Sequence, residues 1–171
     1  MPSLCQLAAR EGRIDVLHWL QQHGQPLDEW TCRAAATSGQ LETLQWARSQ
    51  GAPISELTCF YTVLEGQLPM LQWLYEHTPP EYWNESEVNA AAFRGHLHIL
   101  IWLCSLGLPW SEQTCANAAA SGSVETLAWL RLQNPPCPWD ITTLSFAEEY
   151  DCPATLEWAR THGCPYNLML P

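Results

Sequence analysis

Apolar residues recur along this chain in two alternating patterns, and the alternation itself repeats. Over residues 31–51 an Ala-rich segment, Cys32–Ala36, runs into Thr37, Ser38 and Gly39. A second segment follows, with Leu41, Leu44, Trp46 and Ala47 set among polar Glu42, Gln45 and Ser49. The first segment predicts a short helix of small residues suited to close packing. The second predicts a helix stopped at Gly51, and Pro53 prevents its continuation. Asp28 stands before the first helix as a cap, and Glu29 follows where a helix N-terminus favours negative charge. The unit reads as helix, turn, helix, short loop.

The unit occurs six times in all. Trp19, Trp46, Trp73, Trp102, Trp129 and Trp158 mark its register at spacings of 27, 27, 29, 27 and 29 residues. Fourteen residues before each Trp stand Cys5, Cys32, Cys59, Val88, Cys115 and Leu144. Seven before it stand Gly12, Gly39, Gly66, Gly95 and Gly122, and Asp151 breaks the set. Two before it is always Leu, and seven after it always Pro. A fixed period of this size predicts a stacked array. One repeat domain over 3–167 is expected, in units of roughly 3–27, 28–54, 55–83, 84–110, 111–139 and 140–167. Two units carry two extra residues, in the loops Thr78–Trp83 and Asn134–Trp139. The sixth unit, without its glycine, looks like an atypical terminal repeat.

The side-chain directions give packing expectations. At 100° per residue, Leu41, Thr43, Leu44, Trp46 and Ala47 cover more than half of the second helix. An arc that broad suits a helix with neighbours on both sides. The Trp column is expected in the core, where each ring would bury ~150–250 Å². On that reading Trp73→Ala is far more damaging than Trp30→Ala. The Cys column is expected to hold buried free thiols. Stacked helices lie about 8–10 Å apart, while disulfide Cα atoms lie within roughly 4.4–6.8 Å.

Charge narrows the classes. The formal net charge is −11, from 18 acidic residues against 7 arginines and no lysine. This argues against binding to nucleic acid or to an anionic membrane surface. No apolar run reaches the ~18–20 residues of a membrane span, and the first residues do not read as a signal peptide. A cytoplasmic chain, or a nuclear one, is expected. The absence of lysine has two readings: a GC-rich genome that favours Ala, Arg, Pro and Trp, or a surface that offers no ubiquitin acceptor, which would suit a chain working beside a ligase.

Candidate chemistry is sparse. His162, Cys164 and Cys152 match no zinc spacing. His23, His77 and His162 share one position at the end of the second helix, where a histidine suits the dipole. His96 and His98 follow an internal glycine and read as structural or exposed. No nucleophile–base arrangement or phosphate-cradling loop stands out. No enzyme, metal or cofactor is expected.

Ala35–Ala36, Gly39, Leu41–Glu42 and Gly51 stand as Ala-Ala-x-x-Gly-x-Leu-Glu, with a second Gly twelve residues after the first. This resembles the ankyrin repeat, with Cys32 in place of the Leu of that family's Thr-Pro-Leu-His motif. The resemblance implies an all-α solenoid of about six stacked helix-turn-helix repeats. It also implies a non-catalytic scaffold for protein–protein interaction, here expected to be a monomer. Ankyrin repeats run 33 residues; the shorter units here imply short projecting fingers, and the Thr-Pro is absent. Short Trp-bearing units ending in Cys-Pro-Trp, as at 137–139, look like the ankyrin proteins of large DNA viruses, protists and algae. A viral chain of this type would act in the host cell. The alternative role is a substrate-recognition adaptor working with a ubiquitin ligase, although no F-box-like segment is present.

In ankyrin repeats partners dock on the face of the first helices. One and five residues after the Cys column that face reads Gln6/Arg10, Arg33/Thr37, Phe60/Leu64, Asn89/Phe93, Ala116/Ala120 and Ser145/Glu149. It is apolar only in the middle. The expected contact residues are Phe60, Leu64, Asn89, Phe93 and Arg94, with Tyr82 and Trp83 of the adjacent loop. The competing reading is that these aromatics fill space left where Thr62–Val63 replaces the Ala pair.

Overall fold

The structure is a computed structural model and describes residues 2–166. Among these residues there are twelve α-helices in six pairs and no strand. The pairs are α1 (Leu4–Arg10) with α2 (Ile14–Gln22), α3 (Glu29–Thr37) with α4 (Leu41–Ser49), and α5 (Glu56–Leu64) with α6 (Leu68–His77). After a 3-10 turn at Pro80–Tyr82 come α7 (Glu85–Phe93) with α8 (Leu97–Ser105), α9 (Glu112–Ala120) with α10 (Val124–Arg131), and α11 (Ile141–Glu149) with α12 (Pro153–Thr161). The chain divides into two compact units, Met1–Trp83 and Asn84–Pro171, each holding three pairs. Within the first, α1, α3 and α5 stack side by side; within the second, α7, α9 and α11 do.

Each first helix begins where the sequence places a cap. Asp28 Oδ1 accepts the Thr31 N–H at 2.9 Å, and the Thr31 hydroxyl oxygen accepts the Asp28 N–H in return. The same reciprocal box joins Ser3 with Gln6, Asn84 with Glu87, and Ser111 with Thr114. It satisfies donors that a helix start leaves open. The third residue of α3, α5, α7, α9 and α11 is also a core position: Thr31, Thr58, Glu87, Thr114 and Thr143 are all fully buried. At Thr31, Glu87 and Thr114 the capping box supplies the local hydrogen bond that such burial needs.

The turn between paired helices requires a left-handed residue. Gly39 has φ 73°, and the other internal glycines are similar. The sixth unit keeps this backbone without the glycine, because Asp151 adopts φ 53°. Asp is among the few side-chain-bearing residues that visit this region. The repeat that looks eroded in sequence therefore keeps its turn.

The core is built by small residues of the first helices and Leu of the second. Cys32, Ala35 and Ala36 are fully buried, as are Leu44, Leu71, Leu100 and Leu127. On α4 the buried set is Thr43, Leu44 and Ala47, an arc of about 100°. Leu41 and Trp46 are half-buried at its two edges. The buried arc is thus narrower than the expected one of more than half the helix, since Leu41 and Trp46 flank the stripe without being enclosed.

The Trp column is accordingly not core. Trp46, Trp73, Trp102, Trp129 and Trp158 are half-buried and Trp19 is exposed. Three of these rings have a local partner instead. His23, His77 and His162 lie stacked on Trp19, Trp73 and Trp158, with centroids 4.0, 4.2 and 4.1 Å apart. In each pair the histidine Nδ1 approaches the carbonyl oxygen of the same Trp, at 2.8, 2.7 and 2.8 Å. A carbonyl only accepts, so Nδ1 carries the proton. The shared histidine position closes the end of the second helix, as the dipole argument anticipated.

No disulfide joins the cysteines, all of which lie among the described residues. Cys32 is held by burial with its thiol pushed up to about 12, and Cys104 likewise. Cys137 donates from Sγ to the Ser111 carbonyl, and Arg131 donates to the Cys137 carbonyl while its guanidinium lies 4.1 Å from the Trp139 ring. The Cys-Pro-Trp loop is tied down through these contacts.

Candidate functional site

In the unit 1–83 the solvent side of α1, α3 and α5 forms an open groove of about 690 Å³. Its floor and walls come from Leu7 and Arg10 of α1, Trp30, Arg33, Ala34 and Thr37 of α3, and Leu57 and Tyr61 of α5. Glu65 stands at one end, just past α5. Residues four apart share a helix face, so Trp30 and Ala34 line up on α3, and Leu57 and Tyr61 on α5. The large apolar side chains remain open to solvent: Leu7 is 43% exposed, Trp30 49%, Leu57 50% and Tyr61 42%. Such a cluster on one groove is more than the scattered apolar exposure of an ordinary surface.

Arg33 sits at the centre. Its guanidinium carbon lies 3.6 Å from the centroid of the Trp30 ring and 5.2 Å from that of Tyr61. Stacking on aromatic faces fixes the guanidinium plane and leaves its N–H donors in that plane. The Nη2 atom is buried and has no hydrogen-bond partner. The side-chain ion pairs among the described residues are Arg13–Asp15 and Arg160–Glu148, both exposed. Arg33 has no carboxylate partner among those residues.

The sequence-predicted residues fall beside this groove or away from it. Phe60 and Leu64 are half-buried on the adjoining face of α5, and Phe60 meets Tyr61 edge-to-face at 5.7 Å. Trp83 is only 5% exposed. Its indole N–H donates to the Thr78 hydroxyl at 3.0 Å, and its ring meets Tyr75 edge-on. Trp83 is therefore a structural anchor of the loop after α6, which corrects its expected place on a contact surface. Tyr82 beside it is half-buried.

The remaining three lie in the unit 84–171. Asn89 braces two helices: its Oδ1 accepts from the Thr114 hydroxyl at 2.6 Å, and its Nδ2 donates to Glu85. Phe93 packs edge-on against Tyr150 at 5.4 Å and is half-buried. Arg94, at the end of α7, is exposed.

Sequence reasoning passed over Leu7, Trp30, Leu57 and Tyr61. They occupy the positions two before and two after the Cys column, not one and five after it. In the second unit those positions hold Ser86, Gln113 and Thr142, then Ala90, Asn117 and Phe146.

No protein-family model matches the sequence, and no curated protein does. A solved structure does. The fold is similar to the human ASB11 ankyrin repeat domain, with a TM-score of 0.67 over 99% of this chain and 86% of that one. The identity is 16%, so the likeness is one of fold. It is the all-α ankyrin-type repeat fold that the Ala-Ala, Gly and Leu-Glu register implied.

Proposed function

We propose that this chain is a non-catalytic scaffold that binds another protein through the first-helix face of residues 1–83. The observation that carries the reading is the groove, where Leu7, Trp30, Leu57 and Tyr61 are exposed together around Arg33. Aromatic residues and arginine are the usual anchors of protein interfaces. The ankyrin-type fold supports it, since stacked repeats offer extended surfaces of this kind. The anchors move from Phe60 and Phe93 to Trp30, Leu57 and Tyr61, with Phe60 and Leu64 flanking them on α5.

The chain works as a monomer in the cytoplasm or nucleus. No described helix is long and apolar enough to cross a membrane, and the net charge of −11 disfavours nucleic acid. The absence of lysine supports a second reading, in which the bound protein is presented to a ubiquitin ligase while the scaffold itself escapes modification.

Affinity capture with quantitative mass spectrometry tests both. The wild-type chain should enrich a partner that the Trp30→Ala/Tyr61→Ala variant loses, at unchanged melting temperature. Recovery of ligase subunits with that partner supports the second reading. A partner retained equally by both proteins refutes the groove as its site.

A further inference from the structure

The groove has a chemical preference that its apolar side chains alone do not dictate. Two of the chain's seven arginines, Arg10 and Arg33, line it, against one carboxylate, Glu65 at its end. The chain as a whole carries 18 acidic residues, so the groove reverses the local sign of charge. Arg33 is placed for recognition. Trp30 and Tyr61 hold its guanidinium, Nη2 is buried without an acceptor, and no described carboxylate pairs with it. Arg33 as a whole is half-buried and lines the groove, so the rest of its guanidinium faces incoming groups with a charge that no described carboxylate answers. A carboxylate supplies both the countercharge and the acceptor, and the arginine fork matches its geometry.

We infer that the groove binds an acidic segment of a partner protein, with an Asp or Glu side chain on Arg33 and a neighbouring bulky apolar side chain against Leu57 and Tyr61. This rests on the binding reading above and names the chemistry of its ligand. The negative charge over the rest of the chain repels an acidic segment elsewhere. Arg10 adds a second positive charge in the groove, while Glu65 restricts how many acidic residues the segment can place at that end. The aromatic rings contribute twice: they orient the guanidinium, and they lower the local dielectric around the ion pair.

The test uses random twelve-residue peptides displayed on phage and selected on the intact chain. Selected peptides are then made with a fluorophore and titrated by anisotropy. The expected peptides carry Asp or Glu within a few residues of Leu, Phe, Tyr or Trp. Arg33→Gln should weaken them at least about tenfold, as loss of one partner from a desolvated charge pair does, at unchanged melting temperature. Raising salt should weaken binding as well. If Arg33→Gln fails to fold, Glu65→Arg replaces it and should tighten the same peptides several-fold. Apolar peptides without an acid, unaffected by Arg33→Gln or Glu65→Arg but lost with Trp30→Ala, would overturn the acidic preference and leave the scaffold reading standing. Failure to select any peptide that binds, or binding untouched by every one of these variants, would overturn both.

Discussion

The imidazole of His77 lies flat against the indole of Trp73, 4.2 Å between centroids and 13° between planes, while its Nδ1–H donates to the Trp73 carbonyl. The pair is local to the last turn of α6, and the ring is half-buried, not enclosed. Leu71, two residues earlier, is fully buried. Leu71→Ala should therefore cost more stability, ~3 kcal/mol for a cavity in the core, than Trp73→Ala at about 2 kcal/mol. His77→Ala should cost about 1 kcal/mol, one hydrogen bond and a dipole contact. Denaturant titration of the three variants checks the order; Trp73→Ala exceeding Leu71→Ala would return the Trp column to the core.

Asp151 holds the turn that glycine holds in the other units. A side chain in the left-handed region costs roughly 1 kcal/mol relative to glycine. Asp151→Gly should raise the melting temperature. Gly39→Ala should lower it, because φ is 73° and a new Cβ would meet Gln67 Oε1 at 3.1 Å. Thermal melts of both variants read this directly, and a shift of the same sign in both contradicts it.

Burial pushes the thiols of Cys32 and Cys104 up to about 12, with nearby Cys137 adding to the effect on Cys104. At pH 8 their thiolate fraction is on the order of 10⁻⁴, against about a quarter for an ordinary thiol near 8.5. Both should react with a disulfide reagent about 10³-fold more slowly in the folded chain than in denaturant. The folded state holds these protons more tightly than the unfolded state. Their contribution to stability is thus intact below about pH 8.5 and lost as pH rises toward 12. Labelling at pH 8 followed by peptide mass mapping checks the rates; immediate modification of Cys32 in the folded chain would contradict its burial.

Phe93 and Trp30 should behave oppositely. Phe93 is half-buried and packs on Tyr150 within its own unit, so Phe93→Ala should cost about 1–2 kcal/mol, part of a full core deletion. Trp30 is half-exposed and stacks on Arg33, so Trp30→Ala should change stability by less than about 1 kcal/mol. Urea midpoints of the two variants decide it. Equal losses would mean that the groove is a structural element.

Periodicity alone exposes most of the fold. Asp28, Gly39, Leu44 and Gly51 each have a local physical role, and together they locate both helices and the turn between them. Two features resist that reading. Trp46 lies only one angular step from the buried stripe of α4, and spacing does not distinguish the edge of a stripe from its centre. Trp30 stands in a column that does not repeat, shared with Leu57 and Gln113. Packing positions must repeat in an array, since each faces an identical neighbour; recognition positions face a partner that has no such period. Columns that change between repeats are therefore where a recognition surface is legible; Phe60 lies on a neighbouring face of α5, and Phe93 lies on α7 in the other unit. Trp83 shows the converse, since an unrepeated aromatic can also fill a loop.

Within each unit, a first helix packs on its own partner and on the first helix of the neighbouring pair. The contacts therefore join residues close in sequence, and no pairing waits for distant ends to meet. Helical chains with such local contacts fold on the microsecond-to-millisecond scale. Synthesis delivers only about 5–20 residues per second, so a completed pair has time to settle on its predecessor before the next one has left the ribosome. The groove of α1, α3 and α5 would then be assembled, with Trp30 and Arg33 in place, while the second half of the chain is still being made.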